Sequence, residues 1–181
     1  KAVLKLAKKN HAIISFDPNI RLPLWSSAEA CQETVREFLP DADLVKLSDE
    51  ECFFVTGKHS ILDAADWLFE QGCKMVLYSM GKEGAMILTP HFSSHVENPE
   101  VRVKDTTGAG DAIIGAYLYC LAKNHITVSQ LADCLPEQVQ EWLTFAVYYA
   151  NYSITKSGAI ASYPDYTTFV KWMQEKRKKA H

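Results

Sequence analysis

Short apolar runs alternate along this chain with longer segments of helical spacing, and no other feature restricts its possible folds as strongly. The runs that read as strands cover residues 13–16, 44–47, 75–79, 85–88, 92–96 and 101–103. The helical segments cover residues 1–10, 27–38, 48–57, 61–70, 112–122, 138–152 and 166–176. Strands that alternate with helices are typical of α/β proteins. We therefore predict a mostly parallel sheet that is covered by helices on both faces.

Chain length and composition limit the classes of protein to which this chain can belong. Its 181 residues, 48% of them hydrophobic, suffice for one packed domain, or a piece of one, over residues 1–181. A net charge of −3 gives no sign of the basic face that nucleic-acid binders carry. Polar or charged residues interrupt every apolar stretch well before the roughly 20 residues of a membrane helix. We expect no nucleic-acid partner and no membrane span.

Cysteine usage points to the compartment. The five cysteines lie far apart, with no C-x-x-C pair, at Cys31, Cys52, Cys73, Cys120 and Cys134. This spacing indicates neither a zinc site nor a disulfide framework. Reduced thiols are typical of a cytoplasmic protein.

The first ten residues read as an amphipathic helix that runs, without a capping residue, directly into the first strand. Lys5 splits its apolar positions, unlike those of a signal peptide. No initiator methionine precedes it. These features lead us to expect that the chain continues a longer protein and that an N-terminal segment is missing.

The segment most informative about function is residues 103–111, where a predicted strand runs through Gly108, Ala109 and Gly110 into an apolar helix. The first N–H groups of a helix have no partners within it and carry about half a positive charge. Small residues let a ligand approach them, so the segment is a candidate anion pocket. Tight packing of helix on strand would need glycines equally, and Gly-Ala-Gly alone does not separate the two interpretations.

Asp111 follows this turn directly, in the first turn of the predicted helix. A carboxylate there would stabilise the helix dipole without any further role. It also lies where a general base must lie to take a proton from a hydroxyl that attacks a bound phosphate. An anion pocket with a base beside it indicates phosphoryl transfer.

The stretch DTTGAGDAIIGAYL at residues 105–118 resembles the C-terminal signature of the ribokinase-like (PfkB) carbohydrate kinases, D-T-x-G-A-G-D before a helix. Further segments in the order and approximate spacing of fructokinase-like members are FDPNIRLPLW at 16–25, KLSDEE at 46–51, SMGKEG at 79–84 and ITKSGA at 154–159. The resemblance covers nearly the whole chain, but only the second half to two-thirds of the family fold. It implies a ribokinase-like three-layer α/β/α sandwich, Rossmann-like and mostly parallel, that lacks its N-terminal part and β-lid.

Carried over residue by residue, this resemblance implies an ATP-dependent sugar kinase. Asp111 would deprotonate the sugar hydroxyl, and the backbone N–H groups around Gly108, Ala109 and Gly110 would hold the charge of the transferred phosphoryl group. The residues implied at the nucleotide are Ser79, Gly81, Gly84, Thr107 and Gly158. An ordinary hairpin would explain the glycines of the 79–84 turn equally well.

The resemblance also implies two metal ions. Glu51 matches the acidic end of the family's Asn-x-x-Glu element, which orders Mg²⁺ beside the phosphates, and Ser48 replaces the asparagine. Ser48 and Glu51 also form the pattern of a helix capping box, and the two roles are compatible. Asp105 and the loop at residues 157–162 resemble the monovalent-cation site of some members, so potassium is a further candidate ion.

Substrate and oligomeric state stay open among alternatives. Fructose is the first candidate acceptor, with 2-keto-3-deoxygluconate or another sugar or nucleoside as competitors. Where relatives often have asparagine near the adenine pocket, this chain has Val147, whose side chain offers no hydrogen bond, so the purine preference is open. A non-catalytic binding module or an inactive truncation is the alternative of another class. Any homodimer would form through a lid outside this chain.

Overall fold

The computed structural model of the chain describes residues 1–179, in which five strands form one sheet. The strands are β1 (Ser15–Phe16), β2 (Leu44–Ser48), β3 (Met75–Ser79), β4 (Ala85–Leu88) and β5 (Ser93–Val96). The helices are α1 (Ala2–Lys9), α2 (Ala28–Phe38), α3 (Asp49–Thr56), α4 (Ile61–Glu70), α5 (Ala109–Lys123), α6 (Pro136–Ser153) and α7 (Tyr166–Lys179).

The strands lie side by side in chain order. β1, β2 and β3 pair in parallel, and β4 runs antiparallel to both of its neighbours, β3 and β5. All strands except β4 therefore point the same way. Parallel neighbours need a crossover connection, and α2 supplies one between β1 and β2, while α3 and α4 supply one between β2 and β3. The predicted α/β sheet is confirmed.

Side chains that alternate along the central strands divide the apolar core into two layers. Leu44, Met75 and Leu77 face one side and belong to the cluster formed with α5 and α6. Val45 and Val76, at intervening positions, face the other side and pack with α2, α3 and α4. Successive side chains of a strand point to opposite faces, so one sheet serves both layers. These contacts confirm the predicted three-layer α/β/α arrangement.

Three helices begin at a serine cap that the sequence offers, α2 at Ser27, α3 at Ser48 and α4 at Ser60. Ser48 begins α3 with a complete capping box, and Gly57 ends it at a φ of 75°. The Ser60 side chain caps α4 by accepting a hydrogen bond from the Asp63 N–H, without a capping box. Two helices begin earlier than predicted, α5 at Ala109 and α6 at Pro136. Proline suits the first helical position because an N–H there would have no partner within the helix.

One predicted strand is absent from the described part of the chain. Residues 101–103 join no ladder, and the strand prediction there was wrong. The Lys104 and Asp105 N–H groups donate instead to the Ile154 carbonyl oxygen, at 2.7 and 3.2 Å. The segment before α5 is thus held by the end of α6 rather than by the sheet. β1 is also shorter than predicted, since only its last two residues pair with β2.

The cysteines are structural rather than reactive. All five are buried and unpaired. Burial raises the pKa of the Cys73 thiol to about 11 and that of Cys120 to about 12, which favours the inert protonated form. Within residues 1–179, no helix has both the length and the apolar character that a membrane crossing requires.

Candidate active site

The carboxyl ends of β1, β2 and β3 lie at one edge of the sheet, and a polar residue stands at each. These residues are Asp17, Ser48 and Ser79. Ligands of open α/β sheets bind at this edge. A cleft of about 350 Å³ opens there, bordered also by the first turn of α5 and by α6. Among its lining residues are Ser79, Gly81, Gly84, Ala109, Gly110 and Val147.

The turn between β3 and β4, which carries the predicted nucleotide residues Ser79, Gly81 and Gly84, forms one wall of the cleft. It is also a hairpin turn, because β3 and β4 pair antiparallel on either side of it. Gly84 has a φ of 98°, and a Cβ built there would lie 2.0 Å from the Val96 carbonyl oxygen. Only glycine lets this turn pass so close to the end of β5. The hairpin and the cleft wall therefore use the same residues.

Helix α5 begins at the cleft without a side-chain cap. Its N-cap, Gly108, has a left-handed φ of 78°, which glycine adopts without strain. The Ala109 N–H donates to the Thr106 carbonyl oxygen at 3.1 Å. The Gly110 and Asp111 N–H groups make no hydrogen bond to any described residue. These two amides are the donors that the first turn leaves for an anion.

Asp111 does not line the cleft. Its exposed side chain lines a second cavity of about 300 Å³ on the other side of the start of α5. Aromatic residues supply most of the remaining wall, including Tyr119, Phe145, Tyr149 and Tyr163. The first turn of α5 thus lies between two cavities, with Ala109 and Gly110 lining one and Asp111 lining the other. No motif in the sequence indicated the second cavity.

A buried lysine to which the sequence analysis assigned no role, although it opens the KLSDEE segment, lies behind the first turn of α5. Lys46 of β2 is 6% exposed and sits on the face of the sheet that packs against α5. Its Nζ lies 3.3 Å from Asp17 Oδ2 and 3.8 Å from Glu51 Oε2. A Cβ built on Gly110 would lie 3.2 Å from this Nζ, so the ammonium group reaches the cleft wall. A lysine inside the apolar run at residues 44–47 was the signal that could have identified it.

Glu51 is held by the backbone on both of its oxygens. Oε1 accepts a hydrogen bond from the Ile20 N–H, and Oε2 accepts from the Ser48 N–H and hydroxyl, each at 2.9 Å. Burial by itself would raise the pKa of Glu51, but these hydrogen bonds and the charge of Lys46 outweigh it and lower that pKa below its ordinary value. The predicted capping box is confirmed, and its carboxylate stays ionised.

The carboxylates at this edge fit one kind of metal site. Within residues 1–179, no group of three or more His, Cys, Asp or Glu side chains could hold a metal ion by itself. Mg²⁺ is usually bound through one or two carboxylates, several waters and substrate phosphates rather than by a protein cage. Asp17 and Glu51, with Lys46 between them, suit an ion that arrives with phosphates.

Asp105 ties the turn before α5 to the loop at residues 157–162. Its carboxylate accepts hydrogen bonds from the Thr107 N–H at 2.9 Å and from the Gly158 N–H at 2.8 Å. The bonds from Gly158 and Thr107 lower the pKa of Asp105 to about 2. Thr107 and Gly158, which the sequence analysis assigned to the nucleotide, thus both donate to this carboxylate. Neither of them lines the cleft.

A tyrosine from the same loop region completes this connection. The Tyr163 hydroxyl donates to the Gly108 carbonyl oxygen at 3.0 Å. A Cβ built on Gly108 would lie 2.9 Å from both that hydroxyl oxygen and the Ala159 Cβ. The start of α5 is therefore packed tightly against the loop. Glycine is required at this position for space as well as for φ.

Comparison with known proteins gives consistent matches. The family described as "pfkB family carbohydrate kinase" matches residues 1–166. "Fructokinase-2" of Solanum habrochaites is 35% identical over 162 residues, which is 89% of this chain and 48% of that protein. The chain spans about half the length of the curated relatives it matches.

Solved structures with a similar fold include fructokinases. The fructokinase of Xylella fastidiosa with bound ATP has a TM-score of 0.88 and 27% identity, over 96% of this chain and 55% of that one. A fructokinase double mutant of Vibrio cholerae O395, in its fructose, ADP and potassium ion bound form, has a TM-score of 0.82 and 29% identity. That match covers 95% of this chain and 54% of the other.

Proposed function

Since this chain belongs to the pfkB family of carbohydrate kinases, we propose that it carries the ATP-binding and catalytic part of an enzyme that phosphorylates a sugar hydroxyl. The observation that supports this most directly is the first turn of α5, which separates a cleft lined by Ala109 and Gly110 from a cavity lined by Asp111. Phosphoryl transfer needs attacking and leaving oxygens roughly in line on opposite sides of the transferred group. The two cavities offer those two positions.

The cleft is the proposed nucleotide site. Bound ATP with Mg²⁺ would supply the phosphoryl group there. The free N–H groups of Gly110 and Asp111 hold its negative oxygens, and the Lys46 ammonium behind them adds a full positive charge. The Ala109 N–H is already engaged with Thr106, so Ala109 acts by shaping the turn, whereas the Gly108 N–H makes no hydrogen bond to a described residue and is a further proposed donor. Preorganised donors of this kind are worth roughly 3 kcal/mol of barrier each.

Asp111 is the proposed general base. Its carboxylate takes the proton of the acceptor hydroxyl, the hydroxyl oxygen forms the new bond to phosphorus, and the bond from that phosphorus to the bridging oxygen breaks, so that ADP leaves. A positioned base contributes roughly 10²–10⁴-fold to the rate. The Asp111 side chain is exposed to the second cavity, so an acceptor there can reach it without any rearrangement of the helix.

Two carboxylates, Glu51 and Asp105, are the proposed sites of interaction with metal ions. Both Glu51 oxygens already accept protein hydrogen bonds, so we assign Glu51 to ordering the waters of Mg²⁺. Asp105, with the loop that contains Gly158, is the proposed potassium site, which one structural neighbour supports by its bound potassium ion. The buried free thiols support a reducing compartment, and we place the protein in the cytoplasm.

Fructose is the proposed acceptor because the relatives reported above are fructokinases. The test is a panel of sugars with ATP and Mg²⁺ on the complete protein that carries this chain. We expect transfer to fructose above all others. Transfer to 2-keto-3-deoxygluconate or to a nucleoside would keep the kinase and replace the substrate. Nucleotide binding without transfer to any acceptor would favour a binding module instead.

The base assignment has its own test. We expect Asp111→Ala to lower kcat by about 10²–10⁴-fold and to leave ADP affinity within about twofold, because the amides and Lys46 remain in place. Asp63→Ala is the matched control, since Asp63 is the exposed third residue of α4 and stabilises a helix start in the same way. A normal kcat in Asp111→Ala, or an equal loss in both variants, would reject the assignment.

A further inference from the structure

Asn98 and Asn151 form a hydrogen-bonded row along one wall of the cleft. Asn98 Nδ2 donates to the Gly81 carbonyl oxygen at 2.8 Å. Asn151 Nδ2 donates to Asn98 Oδ1 at 2.7 Å and to the Val147 carbonyl oxygen at 2.9 Å. All four residues line the cleft.

Two backbone carbonyls determine how both side-chain amides are oriented. A carbonyl oxygen only accepts hydrogen bonds, so Asn98 must turn its NH₂ group toward Gly81. Its side-chain oxygen then faces Asn151, which must donate from its own NH₂ group. The Val147 carbonyl oxygen requires that same NH₂ group. Exchanging nitrogen and oxygen in either amide would set two acceptors against each other, which excludes the flipped assignment.

The Asn151 side-chain oxygen is left as an acceptor. Oδ1 accepts no hydrogen bond from the described residues, whereas Nδ2 makes two. Asn151 is only 5% exposed, and within residues 1–179 no fully buried side-chain nitrogen or oxygen lacks a partner. Oδ1 therefore keeps contact with the space of the cleft. An acceptor that is oriented, nearly buried and unpartnered in the protein is suited to a donor on a ligand.

The surroundings of this oxygen suit a flat heterocycle. Apolar side chains line the same part of the cleft, and they are Ile113, Val147, Ala150 and Ile154. Ile113 lies one turn along α5 from Gly110, whose N–H is a proposed phosphate donor. Apolar walls with a few placed polar groups are typical of small-molecule sites. The base of a nucleotide whose phosphates meet Gly110 would lie between these walls.

We propose that Asn151 makes the cleft selective for a 6-aminopurine, with Oδ1 accepting a hydrogen bond from the exocyclic amino group of adenine. This inference rests on the proposed function, because it assigns the base of the nucleotide that this function requires. Adenine presents an amino donor at C6, and guanine presents an oxygen acceptor there. Oxygen against Oδ1 would leave two acceptors unpaired. Val147 then contributes an apolar wall and the carbonyl that holds Asn151.

The test measures equilibrium binding of three nucleoside diphosphates to the full chain in the presence of Mg²⁺. ADP carries the 6-amino group, IDP carries oxygen at that position, and purine riboside diphosphate carries hydrogen. We expect ADP to bind about fivefold more tightly than purine riboside diphosphate, which lacks the donor. The affinity for ADP should exceed that for IDP by about fivefold or more. This series needs no substitution, so it decides the matter even if a variant fails to fold.

Substitutions then identify the residue. In Asn151→Ala, we expect the ADP affinity to fall to that of the two analogues, so that the preference disappears. Asn124→Ala is the matched control, since Asn124, the C-cap of α5, donates from Nδ2 to the Cys120 carbonyl oxygen at 2.8 Å in the same i to i−4 pattern. The preference should survive there. Equal binding of all three nucleotides to the unsubstituted chain overturns the Asn151 assignment alone. No binding of any nucleotide overturns the proposed function as well.

Discussion

Lys46 shows how a single side chain can link the sheet to the start of α5. Its ammonium group is almost fully buried, 3.3 Å from one carboxylate and 3.8 Å from another. Removing such charges from water costs several kcal/mol of desolvation free energy per ion. The attraction within the ion pairs offsets this cost only when the partners stay in place. Burial raises the pKa of Asp17, and the charge of Lys46 opposes that rise. Two carboxylates and one ammonium leave a negative excess, which a phosphate-bound Mg²⁺ would balance.

We expect Lys46→Met to lower the free energy of unfolding by about 3 kcal/mol, because Asp17 and Glu51 would lose the cation between them. ADP affinity should also fall by about tenfold or more, through loss of a charged phosphate contact. Urea unfolding and calorimetric titration with ADP measure the two effects.

Lys74→Met is the control for this prediction. Lys74 pairs with Asp43 at 2.6 Å at the amino ends of the strands, opposite the cleft, and its side chain is 34% exposed. We expect a loss of stability of about 1 kcal/mol or less and unchanged ADP binding. If the two variants bound ADP equally well, Lys46 would have no role at the nucleotide.

The β3–β4 hairpin is the element in which structural and functional demands coincide. The Met80 N–H donates to the Gly84 carbonyl oxygen at 2.9 Å, which closes the turn. The Gly81 carbonyl oxygen anchors Asn98 at the cleft. The sequence allowed two interpretations of Gly81 and Gly84, a turn at the nucleotide or an ordinary hairpin. In the structure these glycines belong to a hairpin and also line the cleft.

Gly84 and Gly72 offer a matched pair of substitutions. Both have positive φ, 98° and 103°, but only at Gly84 would a Cβ meet backbone, 2.0 Å from the Val96 carbonyl oxygen. At Gly72 a Cβ would meet nothing within 4 Å. We expect Gly72→Ala to lower the free energy of unfolding by about 1 kcal/mol from backbone strain alone. Gly84→Ala should lose at least about 2 kcal/mol more, since β5 must shift. Urea midpoints that do not differ would contradict the clash.

The whole molecule is built as one sheet between two apolar layers. Leu77 and Leu47 are both fully buried, and they point to opposite faces, toward α5 and α6 or toward α2 to α4. Because the same strands carry both layers, loss of packing on one face weakens the support of the other. We expect a single cooperative unfolding unit rather than two independent layers.

Leu77→Ala and Leu47→Ala test this cooperativity. Each should lower the free energy of unfolding by about 2–5 kcal/mol, because each leaves a cavity in a close-packed core. Trp67 on α4 reports on one layer, and Trp142 on α6 reports on the other. The fluorescence of both should give the same urea midpoint in each variant. Single-tryptophan backgrounds separate the two signals. Separate midpoints for the two faces would show independent layers.

Local patterns in the sequence were sufficient for the fold class and for much of the secondary structure. Strand and helix periodicity reports which face of a segment is apolar, and capping residues such as Ser48 and Gly57 report where a helix begins and ends. Both are short-range properties of the chain. The failure at residues 101–103 has the same origin, because alternating valines resemble a strand even where the following N–H groups bond to Ile154.

The sequence by itself determined the three-layer architecture, the glycine-rich start of α5 and the carboxylate that follows it. Only the tertiary structure decided which groups from separate elements meet there. It brought Lys46 behind Gly110, turned Asn98 and Asn151 toward each other, and put Asp111 in a different cavity from the cleft. These relations depend on how helices and strands pack across the sheet. Residue spacing along the chain carries no direct record of those distances, so local pattern reading could not supply them.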